Sequence, residues 1–269
     1  MSKQRQVVLI TGASSGIGKA CAAHLHARGY RVYGASRRPV MGPFETLSMD
    51  VDDDDSVEAA VMHVLSREGQ LDAVVNNAGF GFAGAVEDTS VVEAKQQFET
   101  NFFGVLRVCR AVLPSFRKQG RGRIVNVSSL GGVFGMPFSG LYSATKFALE
   151  GMSEALRLES RPFGVHVSLI EPGDFKSNFT AVRRTTVESR RNPAYREAFG
   201  RAMKAAERDE QNAPTPEPIA RLVERILVTR SPRLRYSIGM PSQRIVVVLK
   251  RWLPAALFEW LLAKAFQLS

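Results

Sequence analysis

Residues 6–20, with the sequence QVVLITGASSGIGKA, join an apolar run to three closely spaced glycines and then to a helical pattern. The apolar run is typical of a buried strand in a parallel sheet. Gly12, Gly16 and Gly18 allow a tight turn in which the backbone can approach a phosphate at the N-terminus of the following helix. The stretch therefore predicts a nucleotide-binding strand–turn–helix unit. A nucleoside-triphosphate loop does not fit, because its lysine is followed by serine or threonine and here alanine follows.

The same alternation continues along the chain. Strands are predicted over 6–12, 31–36, 46–50, 71–79, 122–129 and 164–173, and helices over 16–28, 55–67, 91–118 (broken near Pro114) and 141–161. This rhythm predicts a doubly wound parallel sheet with helices on both faces, which is a Rossmann fold. After it we predict a helix over 217–229, a last strand over 235–239 and a helical stretch over 242–266.

No linker or internal repeat divides the chain, so one domain is expected over residues 1–240, with a C-terminal amphipathic helical extension over 241–269. Within the domain, the polar segment 175–212 is expected to cover a substrate.

The composition is that of a globular α/β protein, with 269 residues of which 45% are hydrophobic and 23% charged. Cys21 and Cys109 lie in apolar helical patterns, which predicts small core residues in a reducing compartment, and we expect the cytoplasm. The four histidines lack metal-ligand spacing, so no metal site is predicted. No apolar stretch approaches the ~20 residues of a membrane-spanning helix, and the first apolar run is too short for a signal peptide.

Positive charge is concentrated in the last third of the chain. The net charge is +10, and from Arg183 onward 17 Lys and Arg face 8 Asp and Glu, which gives +9. Such a bias suits anionic partners, but no nucleic-acid-binding motif accompanies it, and we expect no nucleic-acid partner. For the extension 241–269 two interpretations stay open: peripheral contact with a membrane surface, or packing on its own domain or on a second subunit.

At this point the chain resembles a known family, the classical short-chain dehydrogenases/reductases. Four motifs carry the resemblance: T-G-x-x-x-G-I-G at 11–18, N-N-A-G at 76–79, the helix asparagine at Asn101, and a serine thirteen residues before Y-x-x-x-K, which are Ser129, Tyr142 and Lys146. The resemblance covers about residues 5–240. It implies a nicotinamide-dependent oxidoreductase that is commonly a homodimer or homotetramer.

The predicted catalytic residues are Asn101, Ser129, Tyr142 and Lys146. Lys146 lies one helical turn after Tyr142, and a nearby cation stabilises a phenolate, so we expect it to lower the tyrosine pKa from its usual value near 10. Ser129 is expected to donate a hydrogen bond to the substrate oxygen. Ser128 is the alternative, but the thirteen-residue offset selects Ser129. The resemblance further implies that Lys146 holds the nicotinamide ribose and that Asn101 positions a water in a proton relay.

Ser36, Arg37 and Arg38 follow the second predicted strand, where an NAD-binding domain usually has an acid. A guanidinium matches a 2′-phosphate, so these residues predict NADP(H), although a solvated basic run is the alternative. The resemblance places Asp50 and Val51 beside the adenine, and the segment from Pro172 to Ser177, with serine in place of a threonine, near the nicotinamide. The predicted cofactor-binding set is Gly12, Ser14, Ser15, Gly16, Ile17, Gly18, Ser36, Arg37, Asp50, Val51, Asn77, Ala78, Gly79, Tyr142, Lys146, Pro172, Gly173, Phe175 and Ser177.

Apolar loops are expected to face the substrate. Ser129, Phe80, Phe134, Met136 and Phe138 are predicted to line its site, although these aromatics could instead pack the core under the loops. The segment 131–146 is similar to that of hydroxysteroid dehydrogenases acting on the steroid 17-position, and it is nearly as similar to that of retinol dehydrogenases.

The residues and the resemblance together predict an NADP(H)-dependent oxidoreductase that interconverts an alcohol and a ketone or aldehyde on a steroid-, retinoid- or lipid-like substrate. Two alternatives stay open. One is a 3-oxoacyl-carrier-protein reductase, whose basic cover would meet an acidic carrier. The other is a catalytically idle nucleotide-binding regulator.

Overall fold

The computed structural model of the protein describes residues 5–38, 41–176 and 182–268. At its centre lies a seven-stranded parallel sheet. Its strands are β1 (Val7–Thr11), β2 (Arg31–Ser36), β3 (Glu45–Ser48), β4 (Ala73–Asn76), β6 (Gly122–Val127), β7 (Val165–Pro172) and β9 (Arg235–Ile238). Two short strands, β5 (Phe82–Ala83) and β8 (Arg184–Thr185), pair with each other outside it. The spatial order β3-β2-β1-β4-β6-β7-β9 confirms the predicted doubly wound Rossmann fold.

Helices cover both faces of the sheet. On one face, α1 (Gly16–Ala27) and α7 (Glu217–Val228) bury residues such as Leu25 and Ile219. On the other, α2 (Asp54–Glu68), α4 (Gly104–Gln119) and α5 (Gly140–Ser160) bury Val61, Val112 and Leu149. The remaining helices are α3 (Val91–Phe98), α6 (Arg196–Asn212), α8 (Pro241–Trp252) and α9 (Ala255–Ala265). Cys21 and Cys109 are buried in these two clusters, as predicted, and burial raises the pKa of both thiols to about 12.

The order of the strands creates a crevice at one edge of the sheet. From β1 the chain continues outward to β2 and β3, and then returns to β4 on the other side of β1. Because all neighbouring strands are parallel, their carboxyl ends share one edge, and the connections leave β1 and β4 in opposite directions there. In open α/β sheets ligands bind in this crevice.

The helix expected over 91–118 is interrupted, but the predicted position of the break is wrong. Helix α4 runs through Pro114 without ending, and the interruption is a π-helical turn at Glu99–Phe103. A proline inside a helix costs about 3 kcal/mol. The side chains of Val112 and Phe116 on either side are fully buried, and each such burial contributes about 1.5–3 kcal/mol, which offsets that cost.

The C-terminal stretch also differs from the prediction of a single helical segment over 242–266. It forms two helices, α8 and α9, because Pro254 cannot donate the backbone hydrogen bond that a continuous helix would need. Leu253 and Pro254 between them are extended.

Candidate active site

The glycine-rich turn lies where β1 meets α1, and its backbone needs glycine. Gly12 has φ +67°, and a Cβ there would lie 2.9 Å from the Cα of Ala78. A Cβ on Gly18 would lie 2.4 Å from the carbonyl oxygen of Gly12, although its own φ is ordinary. Gly12 therefore shapes the turn, whereas Gly18 lets the helix pack closely beneath it.

Hydrogen bonds from the next strand hold this turn. The hydroxyl of Thr11 accepts from the backbone N–H groups of Asn77 and Ala78, both at 3.0 Å. The side-chain amide of Asn77 donates to the carbonyl oxygens of Thr11 (3.0 Å) and Gly12 (3.2 Å). The T-G and N-N-A-G motifs thus meet across the crevice, and the amide of Asn77 acts here by holding the turn.

A cleft of about 1220 Å³ opens over the carboxyl ends of the strands. Seventeen of the predicted cofactor-binding residues line it: Gly12, Ser14, Ser15, Gly16, Ile17, Ser36, Arg37, Asp50, Val51, Asn77, Ala78, Gly79, Tyr142, Lys146, Pro172, Gly173 and Phe175. Gly18 does not line the cleft, because it is buried under the turn. Ser177 lies outside the described residues.

These residues fit a dinucleotide. The cradle at Gly12 would be filled by a Cβ, so the bare backbone there can approach a pyrophosphate at the N-terminus of α1. Exposed Arg37 and Arg38, at the end of β2, supply cations to the nucleoside end of the cleft. Lys146 lies at the other end and would hold the nicotinamide ribose.

Tyr142 and Ser129 face each other in the cleft. The Ser129 hydroxyl is hydrogen-bonded to the Tyr142 phenol and accepts from the backbone N–H of Gly131 at 3.0 Å. Ser128, the alternative, instead lies against the carboxylate of Glu150. The geometry therefore pairs Ser129, as predicted, with the tyrosine.

The expected lowering of the tyrosine pKa is wrong for this structure. Burial raises the pKa of Tyr142 to about 12; the Ser129 hydrogen bond opposes this rise, and the charges of Asp174 and Glu210 add to it. Lys146 does little to lower the pKa of the Tyr142 phenol, because its ammonium donates to the carbonyl oxygen of Val127 (2.9 Å) and lies 5.8 Å from the centre of the tyrosine ring. These residues hold the phenol protonated, as a proton donor must be.

Lys146 is itself 6% exposed, and burial lowers its pKa to about 8, against the opposing charge of Glu150. Glu150 lies one turn further along α5, where Nε of Arg235 approaches its carboxylate at 2.8 Å and that of Glu171 at 3.4 Å. A chain of alternating charges therefore runs from the buried lysine and Glu150 to the exposed Arg235 on the edge strand β9.

Asn101 is fully buried in the π-helical turn. Its amide oxygen accepts from the N–H of Phe80 (3.0 Å), and its amide nitrogen donates to the Phe80 carbonyl (2.9 Å) and to the Thr145 hydroxyl (3.2 Å). The side chain therefore ties the loop after β4 to the catalytic helix α5. A role in a water relay stays a prediction.

The predicted substrate residues divide into two groups. Phe80, Phe134 and Met136 line the cleft together with Ser129. Phe138 does not: it has φ +58° and packs its ring edge-to-face on Phe199 of α6, with centroids 5.5 Å apart. For Phe138 the alternative interpretation therefore holds: its ring packs under the loops and does not line the substrate site.

Helix α6 and the hairpin α8–α9 supply cleft residues that the sequence did not identify. Two of the residues from α6 are charged, Asp209 and Glu210, and the apolar ones from these helices and their end include Ala202, Met203, Ala206, Val246, Leu262 and Phe266. Asp174 after β7 and Arg183 before β8 add two more charged residues to the lining. Burial and the nearby charge of Glu210 raise the pKa of Asp174 to about 6. The pattern of an amphipathic helix shows that one face is apolar but not that this face borders a cleft.

A parallel sheet with a glycine cradle at its crevice and a Ser–Tyr–Lys set beside it defines an oxidoreductase that uses a nicotinamide nucleotide on alcohol or keto groups. The chain belongs to the short-chain dehydrogenase family: the family profile described as short chain dehydrogenase matches residues 6–188.

The relatives match either nearly the whole chain or about two thirds of it. The 3-ketodihydrosphingosine reductase of Bacteroides thetaiotaomicron is 42% identical over 261 residues, which cover 96% of this chain and 97% of the relative. Human 17-beta-hydroxysteroid dehydrogenase type 1 is 39% identical over 193 residues, which cover 65% of this chain and 58% of the relative. The steroid-dehydrogenase likeness of segment 131–146 thus has a counterpart among known enzymes.

Solved structures agree on the fold. A short-chain dehydrogenase from Streptomyces avermitilis superposes with a TM-score of 0.77 at 34% identity, over 93% of this chain and 97% of that chain. A metagenomic short-chain oxidoreductase in complex with NADP (TM-score 0.68, 26% identity, 87% and 96% covered) and one from Burkholderia phymatum in complex with NAD (0.76, 25%, 93% and 94%) share it. Relatives of this fold therefore hold either nicotinamide nucleotide.

Proposed function

We propose that the protein is an NADP(H)-dependent reductase of a ketone carried on a long apolar, lipid-like molecule. The observation that carries the proposal is the two-sided cleft. One side presents phosphate-binding backbone and two arginines, and the other presents apolar side chains on both sides of Ser129 and Tyr142.

The cofactor preference rests on the end of β2. Arg37 and Arg38 are both exposed and both border the cleft. Asp52, one of the acids in the lining, already accepts a hydrogen bond from the Thr100 hydroxyl at 2.9 Å, and the positive charge of Arg37 acts to lower its pKa. A cationic fork beside the nucleoside end favours a 2′-phosphate over a free 2′-hydroxyl.

The substrate class rests on the other end of the cleft. Apolar side chains reach this end from several elements: Phe134 and Met136 from the loop after β6, Met203 from α6, Val246 from α8 and Phe266 just after α9. A pocket of this composition binds apolar molecules and orients them by a few polar groups. The Bacteroides thetaiotaomicron relative, which this chain matches over 96% of its length, is named for a lipid ketone, and this supports a lipid-like substrate over a small polar one.

The residues at the centre can carry out the proton half of a carbonyl reduction. A bound nicotinamide supplies the hydride to the carbonyl carbon. The protonated Tyr142 phenol donates its proton to the carbonyl oxygen, and the Ser129 hydroxyl steadies that oxygen as negative charge develops on it. Lys146 contributes positive charge below the ring.

NADPH oxidation against a panel of ketones tests the proposal. The panel contains a long-chain 3-keto sphingoid base, a 17-keto steroid, retinal, a 3-oxoacyl thioester and a small polar ketone. Turnover of the apolar members, with little of the small ketone and none by Tyr142→Phe, is the expected result. Good turnover of only the thioester would favour the carrier-protein reductase, and turnover of no member would favour the idle nucleotide-binding protein.

Assembly and location stay predictions. We expect a homodimer or homotetramer and no nucleic-acid partner, which sedimentation of the purified protein with and without DNA would test. Among the residues that the structure describes, no helix combines the length and apolarity needed to cross a membrane.

A further inference from the structure

Helices α8 and α9 expose an apolar stripe. On α8, Ile245, Val248 and Trp252 are 54%, 55% and 77% exposed, and their spacing places them on one helical face. On α9, Leu257 and Trp260 are 45% and 50% exposed and lie one turn apart. No described residue of either helix is buried, so this face has no partner within the described chain.

Positive charge borders this stripe. Four basic residues and one acid, Glu259, stand between residues 241 and 268; the basic ones are Arg244, Lys250, Arg251 and Lys264. The Lys250 ammonium is turned to the domain, where it donates to the carbonyl oxygen of Val133, so Arg244, Arg251 and Lys264 are the basic residues that can border the stripe. The Lys264 ammonium lies 4.1 Å from the centre of the Trp260 ring, and the Arg251 guanidinium 5.9 Å from that of Trp252. Tryptophans flanked by long basic side chains are typical of helices that lie in the interface of an anionic bilayer.

The inner face of the same two helices is a wall of the cleft. Gln243, Val246, Leu262 and Phe266 line it. The hairpin is attached there, because the Gln243 amide oxygen accepts from the backbone N–H of Asp174 at 3.1 Å. A single thickness of helix therefore separates the exposed stripe from the cleft.

We propose that the α8–α9 hairpin docks on an anionic lipid bilayer, with the exposed apolar stripe entering the interface and the cleft opening toward the lipid. The docking stands on the exposed stripe and its basic border. Its consequence, that a lipid-like ketone enters the cleft from the bilayer past α8–α9, rests on the proposed function.

A second copy of the chain is a poorer occupant of this surface. Symmetric dimers place the same patch of both subunits face to face, and this patch would set three basic residues, Arg244, Arg251 and Lys264, against three others with a single acid on each side. An anionic lipid surface complements that charge, and its acyl region accepts the tryptophans.

Intrinsic fluorescence tests the docking directly, because Trp252 and Trp260 are the two tryptophans of the chain. The full-length protein is titrated with vesicles of phosphatidylcholine alone and of phosphatidylcholine with phosphatidylglycerol, with NADPH binding as the check on folding. We expect a blue shift of the emission and co-sedimentation with the anionic vesicles only, both weakened by high salt. An unchanged emission, or a shift that follows protein concentration without vesicles, would overturn the proposal, the latter in favour of a second copy.

Two variants refine the test. In Trp252→Ser/Trp260→Ser we expect vesicle co-sedimentation to fall at least tenfold, whereas a control with similarly exposed apolar residues elsewhere, Val91→Ser/Leu158→Ser, should sediment like the wild type. Equal sedimentation of the two variants contradicts the docking. Neither tryptophan lines the cleft.

Activity separates this proposal from the proposed function. The tryptophan variant should reduce a water-dispersed short-chain ketone at the wild-type rate and a vesicle-embedded long-chain ketone several-fold more slowly. Reduction of both ketones with no vesicle binding by the wild type refutes the docking alone. Vesicle binding that needs the tryptophans, with no ketone reduced, refutes the function and leaves the docking in place.

Discussion

The two sides of the cleft are built in different ways. The nucleotide side is fixed by backbone and by buried hydrogen bonds such as those between Thr11 and Asn77, at the ends of two central strands. The substrate side consists of helices on the periphery: in α6 one described residue, Ala202, is buried, and in α8 and α9 none is. A cofactor that does not vary can be met by rigid backbone, whereas a substrate wall made of surface helices can change without disturbing the sheet.

The largest expected effect lies where the two sides meet. Tyr142→Phe removes the proton donor, and we expect kcat to fall about 100- to 10,000-fold, the range attributed to general acid–base catalysis. NADPH affinity, measured by nucleotide fluorescence, should change little. Tyr30→Phe, before β2 at the opposite edge of the sheet, is the control and should keep full activity. A Tyr142→Phe enzyme with more than a tenth of the wild-type rate would contradict the assignment.

The second-largest expected effect concerns Lys146, and it is a change in the free energy of unfolding with pH, not in the reaction rate. Its pKa is near 10.5 when unfolded and about 8 in the folded protein, so between these values the unfolded chain binds the extra proton and stability rises with pH. The contribution reaches on the order of 3 kcal/mol by pH 10.5. Urea unfolding of the wild type and of Lys146→Met from pH 7 to 10.5 isolates this contribution as the difference between the two curves, which should grow with pH in favour of the wild type. The two buried thiols, whose pKa is raised to about 12, lower the stability of both proteins equally above about pH 9. Parallel curves would show that burial does not shift the lysine.

Two glycines, one on each side of the cleft, test the difference between the nucleotide side and the substrate side. Gly12→Ala forces a side chain into a left-handed conformation against the backbone of Ala78, which costs about 1–2 kcal/mol for the conformation alone and should weaken NADPH binding about tenfold or more. A Cβ on Gly200 in α6 meets nothing within 4 Å, so Gly200→Ala should stabilise by up to about 1 kcal/mol. Denaturant melts and nucleotide titrations measure both. Equal changes in stability and NADPH binding for Gly12→Ala and Gly200→Ala would contradict the difference between the two sides of the cleft.

The smallest expected effect is a change in the KM for NADPH relative to the KM for NADH. Removing the guanidinium in Arg37→Ala should raise the KM for NADPH about tenfold, because one charge-assisted interaction in an exposed position is lost. The KM for NADH should stay the same and serves as the internal control. An equal rise for both nucleotides would mean that Arg37 does not contact the 2′-phosphate.

The nucleotide side was predictable from the sequence because its geometry leaves little choice of residue. A left-handed turn against the next strand requires glycine at position 12, and the basic residues predicted at the end of β2, Arg37 and Arg38, do border the cleft. The Ser129–Tyr142–Lys146 set was predictable because its spacing matches the motif of the family that the chain resembles.

The rest depended on contacts that the sequence does not display. Phe134 and Phe138 look alike in the sequence, but only the backbone conformation decides which of them turns to the cleft. The direction of the Tyr142 pKa follows from burial and from Glu210, 68 residues later on α6. The π-helical turn around Asn101 uses residue types that also suit an ordinary helix, so nothing in the pattern marked it.

The chain of charges from Lys146 to Arg235 has a consequence for synthesis on the ribosome. Arg235 belongs to β9, the last strand of the chain and the outermost of the sheet, yet its guanidinium approaches both Glu150 and Glu171. Until that strand has emerged, the carboxylates of Glu150 on α5 and Glu171 on β7 lack this counter-ion. The nascent chain can therefore complete its glycine turn early, while its reaction centre matures only as translation finishes.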